Sequence, residues 1–378
     1  MIYLDHAAAT PLDPEVLAAQ QPFFAEQFYN PSASYMAAQR VRKALEQARA
    51  DVAAELGARP SEIIFTAGGT ESDNLAISGV LQQFPEGNVA VSVIEHDAVL
   101  EPACQFAHTV VQVDGQGIVD LADLRGRIDD QTVLVSVMYA NNEVGTIQPI
   151  RQVAQLVAEV RAARRTAGNA LPIYLHTDAC QAANYLDLHV SRLGVDLMTL
   201  NGGKIYGPKQ SGILYVSSSV RLQPVIRGGG QERGLRSGTE NIAGAIGFAQ
   251  ALQRVQAVRH QEAERLTRLR QLGFELASEK LPGVVINGSL KHRLPNNIHL
   301  TMPGQDNERL LVELDERGIL AAAGSACSAS DEEPSHVLRA MGISEQDAQA
   351  SLRLTMGRTT TEADIRQLID TLAELITQ

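Results

Sequence analysis

The chain has 378 residues, enough for two domains, and its 44% hydrophobic and 20% charged residues are typical of a globular protein. Its formal net charge of −12 argues against nucleic acid as the main ligand, because an acidic surface repels phosphates. No apolar run approaches the length of a membrane span, and we expect neither a secretory signal nor membrane attachment. The cysteines Cys104, Cys180 and Cys327 form no Cys-x-x-Cys pair and suit a reducing compartment, so we expect a cytoplasmic protein.

A short irregular arm, residues 1–14, precedes a region in which strands and helices alternate. A long Ala-rich helix is predicted from about Tyr35 to Leu56, where Gly57 ends it. The strands predicted after it are Glu62–Thr66, Val89–Ile94, Thr109–Val113, Val133–Met138 and Ile173–His176, with helices at Ala98–Phe106, Leu121–Ile128 and Ile150–Arg165. Two more strands flank Lys204. This alternation predicts an α/β fold with a parallel or mixed sheet between helices.

A second, smaller α+β domain is predicted beyond a helix-rich stretch from about Ile242 to Leu281. Its predicted strands are Gly283–Asn287, Asn296–Thr301 and Ser351–Leu354, and its predicted helices are Asn307–Glu316, Ser335–Met341 and Glu362–Ile376. We therefore place a large domain at residues 15–250 and assign residues 1–14 and 251–378 to a small domain with an N-terminal arm.

Polar side chains follow five of the strands predicted for the large domain. Ligands of such sheets lie beyond the carboxyl ends of the strands, so these residues are expected to share one site. They are Thr70, then Glu95 and His96, then Asn141–Glu143, then Asp178 and Gln181, and finally Lys204.

Lys204 follows Asn201-Gly202-Gly203 on a constrained loop between two apolar runs. Burial there would lower the pKa of its amine, and a neutral amine can form a Schiff base with a carbonyl or with pyridoxal phosphate (PLP). A solvated turn lysine is the alternative, and it is our interpretation of Lys209. The loop is not a Walker phosphate loop, because Met198 and Ile205 stand where that motif needs Gly and Ser or Thr.

Three other stretches are open to two interpretations each. The Gly68-Gly69-Thr70 turn between a strand and a helix suits an anion site or simply a capped helix. The Gly-rich stretch from Arg227 to Thr239 is a functional loop or a flexible connection, and its length favours function. Cys327 lies among small residues, where a thiol is an accessible nucleophile or only a small loop residue.

Taken together, these stretches resemble the cysteine desulfurases, PLP enzymes of the class V aminotransferase group with fold type I. The resemblance runs from Tyr3 to about Gly357. Its strongest parts are Gly69-Thr70-Glu71-Ser72-Asp73-Asn74, Glu95-His96, Asn141-Asn142-Glu143-Val144-Gly145, Asp178-Ala179-Cys180-Gln181, Lys204-Ile205-Tyr206-Gly207-Pro208-Lys209, the stretch from Glu232 to Thr239, and Gly324-Ser325-Ala326-Cys327. It implies a large PLP-binding domain with a mostly parallel, seven-stranded type of sheet.

The resemblance also implies how the cofactor is held. Lys204 would bind PLP as a Schiff base, Asp178 would keep the pyridine nitrogen protonated, and Gln181 would bind the ring hydroxyl. His96 would stack on the ring. The phosphate would lie at Gly69, Thr70, Asn201 and Gly203, with Thr239 reaching it from the second subunit of a homodimer.

For the reaction, the resemblance implies L-cysteine as substrate. Arg353 would grip its carboxylate as a fork, assisted by Asn30, and Asn142 would contact the cofactor or the substrate. Lys204 and His96 would move protons. The Cys327 thiolate would take the substrate sulfur as a persulfide and pass it to an acceptor or scaffold protein, in iron–sulfur cluster assembly or tRNA thiolation.

The chain departs from the family pattern beside the central lysine. Family members usually carry a histidine that contacts the phosphate at this point, and this chain has Gly203, so we expect a weaker grip on PLP. His6 is a second departure, in the first motif.

Other activities are compatible with parts of this pattern. A selenocysteine lyase, or another class V lyase or aminotransferase, would keep Lys204, Asp178 and His96 without needing Cys327. A sulfur-assembly scaffold without activity would tolerate Gly203. A nucleotide-binding protein using Gly68-Gly69 is weaker still, because no full dinucleotide fingerprint follows.

Overall fold

The computed structural model describes residues 1–324 and 334–377; Cys327 lies outside the described residues. The strands in these ranges are β1 (Ile2–Tyr3), β2 (Ile63–Thr66), β3 (Asn88–Ser92), β4 (His108–Val111), β5 (Thr132–Ser136), β6 (Tyr174–Asp178), β7 (Leu197–Asn201), β8 (Gly212–Val216), β9 (Val285–Ile286), β10 (Asn297–Thr301), β11 (Ile319–Leu320) and β12 (Ser351–Thr355). The helices are α1 (Pro14–Gln20), α2 (Pro22–Ala25), α3 (Met36–Leu56), α4 (Gly69–Gln83), α5 (Asp97–Ala103), α6 (Leu121–Arg127), α7 (Ile150–Thr166), α8 (Val190–Leu193), α9 (Ile242–Lys280), α10 (Asn307–Glu316), α11 (His336–Ala340), α12 (Glu345–Ala348) and α13 (Glu362–Ile376).

A seven-stranded sheet in the order β2-β8-β7-β6-β5-β3-β4 forms the centre of the fold. The strands from β4 to β7 pair in parallel, and β8 runs antiparallel to both β2 and β7. The predicted α/β class with a mostly parallel sheet is therefore confirmed. Because β2 points the same way as β7, the carboxyl ends of six strands meet at one edge.

Helices cover both faces of this sheet, which is why most of its strand residues are buried and many are apolar. Successive strand residues pack into opposite layers: Leu134 lies with α4 and α5, and Val135 with α3, α7 and α9. The apolar stripe of α3 repeats at helical spacing through Val41, Leu45 and Val52. This helix ends at Gly57, whose φ of +62° is the left-handed conformation that glycine tolerates best.

The predicted irregular arm is wrong in one detail, because its first residues form a strand. Ile2 and Tyr3 pair in parallel with Ile319 and Leu320. Two residues are too few to show a period in the sequence. The short helices α8 and α12 were missed for the same reason.

The rest of the C-terminal region forms a second layer. Strands β12, β10 and β9 make an antiparallel sheet, covered by α9, α10 and α13. The single helix α9 packs its first half into the large core through Phe248 and its second half into the small core through Leu266. It runs across residues 250 and 251, where we predicted the domain boundary, and that division stays a prediction.

The Gly-rich loop is held in place by a buried ion pair. Arg49 on α3 donates two hydrogen bonds of 2.7 Å to the carboxylate of Glu232, which also accepts one of 2.9 Å from the Phe65 backbone. A bidentate pair of this kind fixes the loop against the central sheet.

Among the helices that the structure describes, none is long and apolar enough to cross a membrane.

Candidate active site

Two adjoining cavities of about 600 and 180 Å³ open at the carboxyl edge of the seven-stranded sheet. Both are lined by Ala8, Gly69, Thr70, Asn201 and Lys204. The site is therefore continuous, with Lys204 where the two cavities meet. This is the edge at which the sequence predicted a ligand.

The larger cavity has the features of a phosphate site. Strand β2 ends at Thr66 and α4 begins at Gly69, so the unpaired N–H groups of the first turn of α4 point to this end. The turn requires a φ of +145° at residue 68, which glycine adopts readily because it has no side chain. The Asn201 Oδ1 accepts a hydrogen bond of 2.9 Å from the Gly203 N–H. Its Nδ2 lies 3.4 Å from where a Cβ on Gly69 would be, so an amide donor faces the same turn.

The Lys204 amine donates hydrogen bonds to the carbonyl oxygens of Ala7 at 2.8 Å and Ala8 at 2.6 Å. Burial lowers its pKa, and the nearby Arg353 charge acts in the same direction. Backbone carbonyls hold the amine without providing a full counter-charge. Burial thus shifts the Lys204 amine in the direction of the neutral nucleophile that the sequence predicted.

Asp178 and Gln181 line the smaller cavity beyond β6. One Asp178 oxygen accepts the Cys180 N–H at 2.8 Å, and Gln181 donates to the Ala7 carbonyl at 3.0 Å. The Cys180 thiol lines the same cavity, and burial, with Asp178 beside it, raises its pKa well above the usual range. Cys180 is thus a neutral thiol at this site. The Asp178-Ala179-Cys180-Gln181 motif contains this thiol, but the sequence alone assigns it no role.

Two buried carboxyl groups, Asp73 and Glu95, surround this end of the site. Burial and the charge of Asp178 raise the pKa of both well above the usual range. His176 is also buried, which lowers its pKa to about 4. The Asp73 Oδ1 lies 3.6 Å from the His176 Nε2, too far for a hydrogen bond, and this Nε2 instead contacts the Thr199 Oγ1 at 3.1 Å.

His96 caps the N-terminus of α5, where its Nδ1 accepts a hydrogen bond of 3.0 Å from the Ala98 N–H. This contact makes Nδ1 an acceptor, so in the neutral ring the proton lies on Nε2. His96 lines the smaller cavity together with Lys204. The placement suits a group that stacks on a bound ring and exchanges protons.

Arg353 on β12 reaches the same cavity from the second sheet and is 1% exposed. Its Nη2 donates to the Asp5 carboxylate at 2.7 Å and its Nη1 to the Asn142 carbonyl at 3.3 Å. Among the described residues its Nε has no hydrogen-bond partner. A buried guanidinium with donors to spare is a receptor for a carboxylate. Asp5, which positions it, was missed from the sequence.

Ten of the predicted site residues lie together around the two cavities. They are Gly69, Thr70, His96, Asn142, Asp178, Gln181, Asn201, Gly203, Lys204 and Arg353. In the described part of the chain, Asn30 and Thr239 are exposed and line neither cavity. The Asn30 Oδ1 instead accepts the Ser32 N–H at 2.9 Å. Cys327 lies outside the described residues.

The structure gives His6 a packing role. The ring is buried between Tyr3 and Tyr206, and its Nδ1 contacts the Thr355 carbonyl oxygen at 3.1 Å. A Cβ on Gly357 would lie 2.1 Å from the His6 Nε2, so the ring fills space that this glycine leaves. This departure from the family pattern stabilises the arm that carries Ala7 and Ala8.

These residues fit PLP. The amine, the phosphate turn and the Asp178 carboxylate are the three groups that such a cofactor requires, and all three line one continuous site. Arg353, in the wall of the smaller cavity, adds a cation for an amino-acid carboxylate.

Comparison with known proteins agrees with this geometry. The family model described as aminotransferase class-V matches residues 2–368. The chain is 40% identical to a cysteine desulfurase IscS from Dictyoglomus turgidum, over 99% of this chain and 94% of that protein. A solved NifS-like protein has a TM-score of 0.91 at 32% identity, covering 100% of this chain and 99% of that one. The structure of SspA in complex with cysteine has a TM-score of 0.81 at 33% identity, covering 94% and 99%.

Proposed function

Because the chain belongs to the class V aminotransferase family, we propose that it is a PLP-dependent cysteine desulfurase, which converts L-cysteine to L-alanine and transfers the sulfur to Cys327. One observation carries the proposal: an amine suited to bind PLP, Lys204, and a carboxylate receptor, Arg353, line the same cavity. Relatives that match nearly the whole chain bear the name of this activity.

PLP, when bound, supplies an electron sink that stabilises negative charge at the Cα of an amino acid. Gly69, Thr70 and Asn201 would hold its phosphate, and Asp178 and Gln181 its ring. Arg353 orients the substrate by its carboxylate. The Lys204 amine, with its lowered pKa, takes the Cα proton. His96 lines the same cavity, and its Nε2 is placed to exchange protons there.

Cys327 is the proposed sulfur acceptor within the chain. Its thiolate forms a bond to the substrate sulfur, the carbon–sulfur bond breaks, and the electron pair remains with the carbon that becomes the methyl group of alanine. Both flanks of residues 325–333 lie at the site: Ala322 exchanges backbone hydrogen bonds with Arg353, and Ser335 donates to Glu143 at 2.6 Å. His336 donates to the Glu95 carbonyl at 2.9 Å. These contacts support delivery of Cys327 to the substrate.

The proposal includes partners and a place of action. A second copy of the chain would bring Thr239 to the phosphate, in line with the exposure of Thr239 and of Val225 and Ile226 at the rim of the larger cavity. A sulfur acceptor or scaffold protein would then receive the persulfide sulfur, for iron–sulfur cluster assembly or tRNA thiolation. The low cysteine content supports action in the cytoplasm.

The test measures L-alanine formed from L-cysteine and from L-selenocysteine in the presence of PLP and a reductant. We expect turnover of L-cysteine by the wild type and its loss in both Lys204→Ala and Cys327→Ala, with Cys104→Ala as the matched control. A wild type inactive on L-cysteine, with a Cys327→Ala variant still active on L-selenocysteine, would identify a selenocysteine lyase. A chain that binds no PLP would instead be a scaffold.

A further inference from the structure

The space beside Gly203 is filled by another part of the chain. A Cβ built on Gly203 would lie 3.2 Å from the Cδ of Lys209 and 3.3 Å from the Asn201 Oδ1. The methylene chain of Lys209 therefore runs along the place where any side chain at residue 203 would begin. A histidine there, as the family pattern has it, would need the Lys209 side chain to give way at its Cδ.

Lys209 is tied to the same short structure as Gly203. Its ammonium donates a hydrogen bond of 2.5 Å to the Thr10 carbonyl oxygen, and the Thr10 N–H and hydroxyl each donate to the Gly203 carbonyl oxygen at 3.1 Å. Lys209 lines the larger cavity with Gly69, Thr70 and Gly203. The lysine is thus held at the end of the site that contains the N-terminus of α4.

The charge of Lys209 is available to a ligand. In the part of the chain that the structure describes, no carboxylate lies within ion-pair distance of its ammonium, and burial alone lowers its pKa. The other cations that line this cavity are engaged: Arg236 pairs with Glu71 at 2.8 Å, and Lys204 is the proposed point of cofactor attachment. An anion that enters the cavity could therefore pair with the Lys209 ammonium, which has no carboxylate partner among the described residues.

We propose that Lys209 binds the phosphate group of PLP and occupies the space that Gly203 leaves for it. In this arrangement the ammonium turns from the Thr10 carbonyl toward the turn at Gly69, which lines the same cavity. A lysine is suited to this, because its ammonium is a point charge on a flexible stem. The inference rests on the proposed function for the identity of the ligand, and it revises the interpretation of Lys209 as an ordinary turn residue.

The experiment titrates the apo-protein with PLP, followed by equilibrium dialysis, and with pyridoxal, which lacks the phosphate. We expect Lys209→Met to weaken PLP binding by about tenfold or more while leaving pyridoxal binding unchanged, because only the charge-assisted contact to the phosphate is lost. Lys209→Arg should restore most of the affinity. Lys43→Met, on an exposed lysine of α3, is the matched control and should change neither.

A second pair of variants separates a local role from a general effect on the fold. Gly203 does not lie in the left-handed region, so Gly203→His is sterically possible once Lys209 moves aside. In the Gly203→His background, Lys209→Met should weaken PLP binding by less than in the wild type. An equal loss in both backgrounds, an equal loss for pyridoxal, or no difference from Lys43→Met would overturn the proposal. A wild type that bound neither compound would instead contradict the proposed function.

Discussion

The Arg353 guanidinium is almost completely buried, and the Asp5 carboxylate accepts a hydrogen bond from one of its nitrogens, Nη2. The carboxylate of a substrate would complete the pairing of a buried group, which is the arrangement in which a charge-assisted hydrogen bond contributes most. Arg353 therefore serves binding and orientation of the substrate in the proposed reaction.

Replacing Arg353 by lysine tests this role. Lysine keeps the charge but cannot contact two oxygens with a rigid fork, so we expect kcat/KM for L-cysteine to fall by about tenfold or more, with PLP affinity unchanged. Steady-state kinetics with PLP titration measure both. Arg366→Lys, at an exposed pair with Glu362, is the control. An unchanged kcat/KM would mean that the substrate carboxylate binds elsewhere.

The lowered pKa of Lys204 predicts how cofactor attachment depends on pH. A lysine in water is protonated up to about pH 10.4, and only the neutral amine reacts with an aldehyde. Burial shifts this transition to lower pH, so the rate at which apo-protein takes up PLP should rise with pH and level off below that ordinary value. The absorbance of lysine-bound PLP follows the rate. A midpoint at or above the ordinary value would show that the amine is solvated.

The sequence located most of this site because its residues follow strands, and strand ends meet at one edge. It failed for Asp5, whose carboxylate meets a residue 348 positions away. No local period connects such a pair. It gave Lys209 no role beyond its turn, because the approach of the Lys209 side chain to the Gly203 backbone depends on backbone angles that the residue types leave open.

At the scale of elements, α9 stands out because one helix belongs to both cores. Its first half packs against α3, and its second half packs on α13. The apolar residues of the sequence predicted helix throughout this stretch but left its continuity open. Because the helix is uninterrupted and packs in both cores, it holds the two sheets at a fixed relative position. It therefore fixes Arg353 on β12 relative to Lys204, which follows β7.

A break in α9 should separate the two cores. Val258 lies between them and is 42% exposed, so Val258→Pro removes a helix hydrogen bond with little loss of packing. We expect a loss of about 3 kcal/mol or more in the free energy of unfolding, and two transitions in place of one during denaturation. Val258→Ala is the control and should keep a single transition. A single transition in Val258→Pro at unchanged stability would contradict the proposed coupling.

For the whole molecule, the site combines residues from the N-terminal arm, the large sheet and the second sheet. The class of the large sheet followed from the alternation of strands and helices. The pairing of β1 with β11 did not, because it joins two-residue strands that are far apart in the sequence. The assembly of two copies depends on surface residues, and the pattern of strands and helices in one chain does not predict it.

The proposed dimer predicts that a charge at the rim of the larger cavity weakens both dimerisation and PLP binding. Ile226 is 41% exposed there, and Ile226→Asp would place a charge in the interface. We expect the wild type to sediment as a dimer, and the variant to sediment as a monomer with weaker PLP binding, because Thr239 of the second copy is lost. Val312→Asp, at an exposed position on α10, should remain dimeric. A monomeric wild type would exclude this arrangement.

The central claim is that Lys204 and Cys327 act in one reaction, and peptide mass spectrometry tests it most directly. The protein is incubated with PLP and L-cysteine without reductant, then digested. We predict one added sulfur atom on the peptide that contains Cys327, no addition at Cys104, and no addition in Lys204→Ala. A wild type that binds PLP and leaves the Cys327 peptide unmodified would contradict the assignment of desulfurase chemistry to this chain.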